Sequence, residues 1–562
     1  MGLFDALGIG MRGLNAAQTS IDVTGQNISN ANTEGYSRKV VDQSAGVVNN
    51  EVFGQIGQGV DVTSISRVRD EFLDRQIWES NGDVGETTEL DTAYTRLENI
   101  LKEPTENGLA AQMNKFWSSF QDLANNPANA SAREAVKASA NVMTDAFHSV
   151  YKQIEDYGLS MNNPLIEKAK SVNDLTGQIY LLNEKVAGVE AHPGEKANDT
   201  RDQRDLLVRK LAGLVDVQTV EDKNGRVMIT SGGNLLVGAS EALKITTYGV
   251  DTQLSDGTKT TELRLRFEDS KKNYEPRGGS LKGIMDARST VLTGYKEKLN
   301  ALAKALVTGV NDAHTAGYTR NQATGVYFFD PNKLKAGDLT LSDAVSADSA
   351  NIAAAAGGKI QDVTTLAVPG GVPAAGSPTL DLKTAFANPN YQNLTQGGVK
   401  VTLGSGAVLE EGPGKDYLVD YEKGTITFIN YARYAAGAPV NVKFAYNTTG
   451  YPGDGNGENA ANIAKVRLAS TMAGGANGFT QSISDYYAGV IGKLGIEKNQ
   501  NSSRKDTKTF LIDQMQTEQA SVSGVSLDEE MTNMIKYENS YKASAKYIQT
   551  ISAMMEVLMG IQ

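Results

Sequence analysis

The chain contains no cysteine. That excludes disulfides, thiol nucleophiles and cysteine-ligated metal sites, although it does not name a compartment. Histidine is almost as scarce. His148, His192 and His314 are far apart and form no H-E-x-x-H or comparable ligand pair, so each reads as a surface or helix-packing residue. There is no apolar run of about 18 residues, so no membrane-spanning helix and no membrane partner are expected. Positive charge is not in excess: Lys+Arg 54 stand against Asp+Glu 66, a net charge of -12, and nucleic acid is not an expected partner. The first residues form no apolar block, and Asp5 comes early, so no signal peptide is expected. A G-x-S-x-G elbow and a phosphate loop are both missing.

Two glycine-rich stretches resemble ligand loops only superficially. Gly8-Ile9-Gly10-Met11-Arg12-Gly13 fits G-x-G-x-x-G, but no strand precedes it and it lies inside helical periodicity. Asp454-Gly455-Asn456-Gly457-Glu458 lacks the glycine and the bidentate glutamate of a calcium loop, with Asn459 and Lys465 at those places. No cofactor, metal or catalytic residue is predicted, and the chain does not read as an enzyme.

What is present is organised around the two ends. Leu3, Leu7, Gly10, Leu14, Ala17, Ile21, Thr24 and Ile28 follow a 4, 3, 4, 3, 4, 3, 4 spacing. Met534, Tyr537, Tyr541, Ser544, Ile548, Ile551, Met555 and Leu558 follow 3, 4, 3, 4, 3, 4, 3 within a helix expected over 527–560. Both stripes are narrow and of coiled-coil type. A helix with such a seam cannot bury it alone, so each terminal helix is expected to pack on the other, with further copies of the chain as a second layer. Glu529-Glu530 reads as a favourable charge pair at the last helix's N-terminus.

Between the ends, Asn27 to Tyr36 stops the first helix, and residues 36–66 look extended. Helical periodicity returns over 68–101, 109–123, 131–162, 164–190 and 200–211, the last capped by Asn198-Asp199. Leu263 to Glu268 alternates strictly, and Asp222-Lys223-Asn224-Gly225 is a hairpin turn, so residues 215–268 read as a β unit. A helix is expected over 281–315. A second β-rich insertion carries strands at 399–403, 417–420, 425–429 and 440–446, and residues 354–378 read as a loose Ala-, Gly- and Pro-rich connection. Helices follow over 459–472, from Thr480 past Asn501, and over 506–521.

The fold class is therefore multidomain α+β: a terminal-helix coiled coil and a long-helix bundle, with two mainly β domains inserted. The expected units are 1–60 with 522–562; 61–213 with 278–322 and 458–521; 214–277; and 323–457. Tyr417, Tyr421, Phe428 and Tyr431 of the outer unit could offer an adhesive, glycan-binding face, although strand aromatics are usually core.

Asn27-Ile28-Ser29-Asn30-Ala31-Asn32-Thr33-Glu34-Gly35-Tyr36-Ser37-Arg38 resembles the N-terminal signature of bacterial flagellar rod and hook axial proteins, in the form found in the hook-associated protein 1 family. Further places resemble that family: Ala197-Asn198-Asp199 with Asp202-Gln203-Arg204-Asp205; Gly278-Gly279-Ser280-Leu281 with Asp286-Ala287-Arg288; Val310-Asn311 with His314 and Gly317-Tyr318; and Ser523 to Glu530 with Ile535-Lys536-Tyr537-Glu538. Ala287 departs from the family's usual phenylalanine.

The resemblance implies a structural adaptor between hook and filament, exported through the flagellar type III apparatus without a cleaved signal peptide and located outside the cell. It implies a homo-oligomeric ring of about one helical turn. The implied partners are hook protein, a second junction protein and flagellin on the filament side, and a cytoplasmic export chaperone at the C-terminal region. The expected assembly residues are Leu3, Leu7, Gly10, Leu14, Ala17, Ile21, Ile28, Asn30, Asn32, Thr33, Gly35 and Tyr36 at one end. At the other they are Leu527, Met534, Tyr537, Tyr541, Ile548, Ile551, Met555 and Leu558.

Overall fold

The computed structural model describes residues 3–46, 48–51, 54–103, 105–192, 194–253, 259–358, 360–470, 472–473 and 480–559. The first helix, α1 (Leu3–Ser29), ends where the Asn- and Thr-rich signature leaves no apolar face to bury. An antiparallel pair, Lys39–Ala45 with Val60–Arg67, then runs beside it. Gln43 donates to the Ser20 hydroxyl at 3.1 Å, and Arg12 pairs with Asp61 at 3.1 Å, which fixes this ribbon along α1.

The bundle follows. Asp70 caps α2 (Glu71–Leu101) by accepting from the amides of Phe72 and Leu73. The helices α3 (Leu109–Asn125), α4 (Ala130–Ser160), α5 (Asn162–Glu190) and α6 (Asn198–Ala212) continue it. Asn198 does not cap α6 with its side chain, as the sequence suggested. Its amide instead donates to the Ile65 carbonyl at 2.6 Å, joining α6 to the ribbon. The helix expected over 281–315 is α7 (Gly279–Asp286), a π-helical turn over Ala287–Leu292 and α8 (Thr293–Ala316).

Two three-stranded antiparallel sheets fill the first insertion. One contains Gln218–Glu221, Val227–Ser231 and Asn234–Val237; the other contains Ile245–Gln253, Lys259–Phe267 and Asn273–Tyr274. Their inward residues, including Ile229, Val237, Leu265 and Tyr274, belong to the same continuous core as the helices. The expected outer unit, 323–457, divides between two cores. Phe328 and Phe329 pack into the bundle beside Phe116 and Phe120, with ring centroids 5.8 Å from Phe116 to Phe328 and 5.3 Å from Phe120 to Phe328. A separate core gathers residues between Val363 and Phe444 around two further three-stranded sheets. The stretch read as loose, 354–378, contains one of their strands, Ile360–Ala367, paired with Val440–Asn447. Two short turns of helix, α9 (Asp343–Ala347) and α10 (Leu382–Ala385), precede α11 (Glu458–Lys465).

The chain returns along the bundle in α12 (Ile483–Ser523) and ends in α13 (Leu527–Met559). α12 is one helix of 41 residues, about 60 Å long, where two were expected. Where the break was expected, Asn501, Lys505 and Lys508 bond to Thr87, Asp91 and Asp83 of α2. Among the described residues, no helix is long and apolar enough to cross a membrane.

Candidate assembly interface

The ends of the chain meet as an antiparallel pair of helices. A Cβ on Gly10 would lie 2.7 Å from Ile548 Cγ1, and one on Gly13 would lie 3.0 Å from Ser544 Oγ. A Cβ at Gly10 would press on the Ile548 side chain, whereas at Gly13 it would meet only the movable Ser544 hydroxyl. Ser544 thus faces Gly13, one turn from Gly10.

The seam on α1 keeps Gly10, Ala17 and Thr24 of the expected stripe but not its large residues. The buried positions are Ala6, Gly10, Ala16, Ala17, Ser20, Val23, Thr24 and Asn27. Leu3, Leu7, Leu14, Ile21 and Ile28 flank this small-residue line and are only half-buried, while Phe4 and Met11 are exposed. Hydrophobic periodicity finds the large residues; close approach selects the small ones. On α13 the expected stripe faces inward: Ile551 is buried, and Met534, Tyr537, Ser544, Ile548 and Met555 are half-buried. Leu527 and Tyr541 are exposed, as are Met531, Ile535, Met554 and Val557. The side chain of Leu558 lies outside the described residues.

The signature stretch closes the pair. Asn30 donates to the Gln26 carbonyl, Thr33 donates to Asn30, and Asn32 is exposed. Gly35 turns the chain at φ 83 and lies against Leu206 of α6, where a Cβ would meet Leu206 Cβ at 3.2 Å. Ser37 then binds Asp202 twice, through its hydroxyl at 2.8 Å and its amide at 3.1 Å. Asp202 and Asp205 also receive Arg67 at 2.8 and 3.0 Å, and Arg69 reaches Asp205 at 3.1 Å. Burial alone would raise the Asp205 carboxyl. Arg69, Arg204 and Arg67 outweigh it and hold the group below the usual aspartate range. Lys39 pairs with Asp199. Two stretches far apart in sequence, Asn27–Arg38 and Ala197–Asp205, are therefore the two halves of one polar joint.

α13 enters the same joint. The Arg38 amide donates to the Ser523 carbonyl at 2.8 Å, and the Arg38 guanidinium pairs with Glu529 at 3.1 Å. Glu530, read as a helix-dipole residue, is buried and accepts from Asn27 Nδ2 at 3.0 Å. Asn27, Glu530, Arg67 and Arg69 are outside the expected assembly residues. Asn27 and Glu530 do fall within the matched motifs, which is the signal that could have found them.

The other motifs hold segments onto the bundle. The Ser280 and Leu281 amides donate to the Gly213 and Leu214 carbonyls, both at 3.0 Å. Asn311 donates to the Phe329 carbonyl and accepts from the Phe328 and Phe329 amides. His314 is fully buried between the Val326 carbonyl, 2.6 Å from Nδ1, and the Ala353 amide, 2.8 Å from Nε2. Burial pushes its pKa down to about 4, so the ring is neutral and Nδ1 donates. Gly8, Gly10 and Gly13 all lie within α1. In the loop at 454–458, Asp454 lies 3.7 Å from Arg320, and Asn456 accepts from the Ala356 amide. Tyr417 and Phe428 are core residues of the outer unit, and the half-buried Tyr421 and Tyr431 have their hydroxyls tied to Glu411 and the Pro373 carbonyl.

Comparison with known proteins agrees with this layout. Residues 94–329 match the flagellar hook-associated protein FlgK helical domain. Residues 7–36 match the flagella basal body rod protein family, and 518–561 match the flagellar basal body rod FlgEFG protein C-terminal family. The flagellar hook-associated protein 1 of Bacillus subtilis is 28% identical over 555 residues, covering 97% of this chain and 96% of the relative. That of Salmonella typhimurium is 27% identical over 576 residues, covering 98% and 99%. The chain is thus similar to flagellar hook-associated protein 1 over nearly its whole length. A solved family structure, the flagellar hook junction protein FlgK from Burkholderia pseudomallei, shares the fold with a TM-score of 0.56 at 19% identity, covering 80% of this chain and 100% of that one. The two rod-family matches fall on α1 and α13, and the helical-domain match spans α3 to α8 with the first insertion.

Proposed function

We propose that this chain is a structural subunit of the bacterial flagellum, joining hook to filament through its terminal helices. The supporting observation is the pairing of α1 with α13 along a small-residue seam. It leaves Phe4, Met11, Met531, Ile535, Met554 and Val557 exposed on the outside of the pair. Apolar side chains of that size, repeated along two helices, suit further helices from neighbouring copies. In an axial assembly each copy uses different surfaces toward the neighbours below and above.

On this reading the subunits form a ring of about one helical turn. They contact hook protein on one side and a second junction protein and flagellin on the other. The assembled protein lies outside the cell, after export without a cleaved signal peptide, and a cytoplasmic chaperone holds the C-terminal region beforehand. The role is mechanical and needs no catalytic group. The rod-family matches at the two ends fit any axial subunit; the helical-domain match over 94–329 favours the junction over the hook or distal rod.

The test is the position of a tagged full-length chain on flagella of cells lacking their own copy. A single band at the hook–filament boundary is expected. Label along the hook or filament would sink the junction role. A chain lacking 1–30 or 527–562 should keep a folded bundle and fail to join the boundary.

A further inference from the structure

Asn27 is 1% exposed and uses its whole hydrogen-bonding capacity. Its Nδ2 donates to the Lys39 carbonyl at 2.9 Å and to Glu530 Oε2 at 3.0 Å. Its Oδ1 accepts from the Lys39 amide at 3.0 Å and from the Tyr36 hydroxyl at 2.9 Å. An amide offers two donors and two acceptors, and all four are matched here. Three of these bonds fix Asn27 to its own end of the chain. The fourth crosses to α13, where Glu530 is 3% exposed.

The rest of the α1 seam offers little to hold a register. Ala6, Gly10, Ala17, Ser20 and Thr24 are small, so the holes and knobs that normally index two helices are shallow. A displacement of one turn would bring other small residues opposite Ile548 and Ser544. The same displacement would part Asn27 from Glu530, leaving a buried carboxylate without its donor, which is costly. A single buried polar position is a well-attested way to select one register among several.

We propose that Asn27 and Glu530 are the positioning pair that sets the register of the two terminal helices, aligning Gly10 with Ile548 and Gly13 with Ser544. The inference rests on the reading of this pair as the assembly element and adds which residues align it. Tyr36 belongs to the same device: its hydroxyl fills the last acceptor site on Asn27, and the Lys39 ammonium lies 5.1 Å from its ring centroid.

Because the chain has no cysteine, paired cysteines report register without background. The aligned reporter is Gly13→Cys with Ser544→Cys; the offset reporter is Gly13→Cys with Tyr541→Cys, one turn away. Both are placed in the full-length chain, oxidised in purified flagella and read on gels as intrachain species. The aligned reporter should dominate in the parent. Asn27→Ala and Glu530→Ala should each lower the aligned-to-offset ratio roughly tenfold, the effect of leaving a buried charged acceptor or its donor unsatisfied. Glu530→Gln should keep the parent ratio, since its amide oxygen still accepts from Asn27. An unchanged ratio in both alanine variants overturns the proposal, and so does aligned cross-linking found only between chains. Should an alanine variant fail to enter flagella, the ratio is read on the soluble full chain, with its bundle checked by thermal unfolding. The boundary label tests the junction role separately, so the two ideas can fail independently.

Discussion

The bundle and the terminal pair are both helical, yet they use side-chain size in opposite ways. In the bundle the largest residues lie at the centre: Phe116, Trp117, Phe120 and Phe147 are fully buried against other helices. In the terminal pair the centre is glycine, alanine, serine and threonine, and the large residues lie at the flanks. The first arrangement satisfies its apolar surface within one chain. The second brings two backbones close and leaves Leu3, Leu7, Leu14 and Ile21 half available to other molecules. One region is built to fold, the other to be completed.

The sharpest break in this contrast comes from matched truncations. Phe116→Ala should cost the bundle about 3–5 kcal/mol, from lost transfer energy plus a cavity. Phe4→Ala, at a residue 81% exposed, should change the isolated chain by less than about 0.5 kcal/mol while weakening incorporation into flagella. Urea unfolding measures the first pair of values and a motility assay the last. Equal stability losses would contradict the division of labour.

Acid should separate the two regions next. Burial lowers the pKa of His314 to about 4 from an ordinary 6.5, so between these values the unfolded chain binds a proton that the folded chain does not. Stability is then fully present above pH 6.5 and falls as pH drops toward 4, by about 3 kcal/mol. Arg133, whose guanidinium donates to the Ile352 carbonyl nearby, adds to the depression. The Asp205 carboxyl of the polar joint is also held low, but its contribution is lost only as pH falls below the ordinary aspartate value of 3.8. Denaturation curves from pH 7 to 4 should therefore show a loss that His314→Asn removes or replaces with a pH-independent one. A loss of the same slope in that variant would assign it elsewhere.

This difference also explains what could be read from residue order. The α13 stripe was legible because its inward residues are themselves apolar. The α1 stripe was legible in part: its Gly10, Ala17 and Thr24 are buried, while its large members lie on the flanks and the buried Ser20 and Asn27 carry no hydropathy signal. Asn27 and Glu530 were invisible as a pair for a related reason: a buried polar contact depends on a partner some 500 residues away. Phe328 and Phe329 fell within the expected outer unit, 323–457, but they pack into the bundle beside Phe116 and Phe120. The continuity of α12 was missed because the partners of Asn501, Lys505 and Lys508 lie on α2, some 400 residues earlier.

A smaller effect is expected on the seam itself. Gly10→Val places atoms within 2.7 Å of Ile548 and should cost about 1–3 kcal/mol of local stability through overpacking. Gly8 has open space around its Cβ position, so Gly8→Ala should stabilise α1 by about 0.5–1 kcal/mol through backbone entropy. Hydrogen exchange of the α1 and α13 amides reads both. If the two substitutions act alike, the close approach at Gly10 is not what holds the pair.

The smallest predicted effect lies along α12, which joins the two regions. Its first turns are rooted in the bundle core by Ile483, Tyr487, Val490 and Leu494. Beyond Leu494 the contact with α2 becomes polar: Lys498 with Glu98, Lys505 with Asp91 at 2.9 Å, Lys508 with Asp83 at 2.6 Å, and Asn501 donating to the Thr87 carbonyl at 2.8 Å. These ion pairs are partly exposed, so each is worth under about 1 kcal/mol and salt screens it. Raising sodium chloride from about 0.02 M to about 0.5 M, which shortens the screening length several-fold, should accelerate exchange of amides 499–520 and leave 484–494 unchanged. A uniform response along the helix would show that the far portion is held by Ile512 and the hydrogen bonds of the neutral Asn501 and Gln519 rather than by these ion pairs. A graded one would place the border between the self-sufficient bundle and the adaptable ends inside α12, near Leu494, well before the chain turns at Gly524.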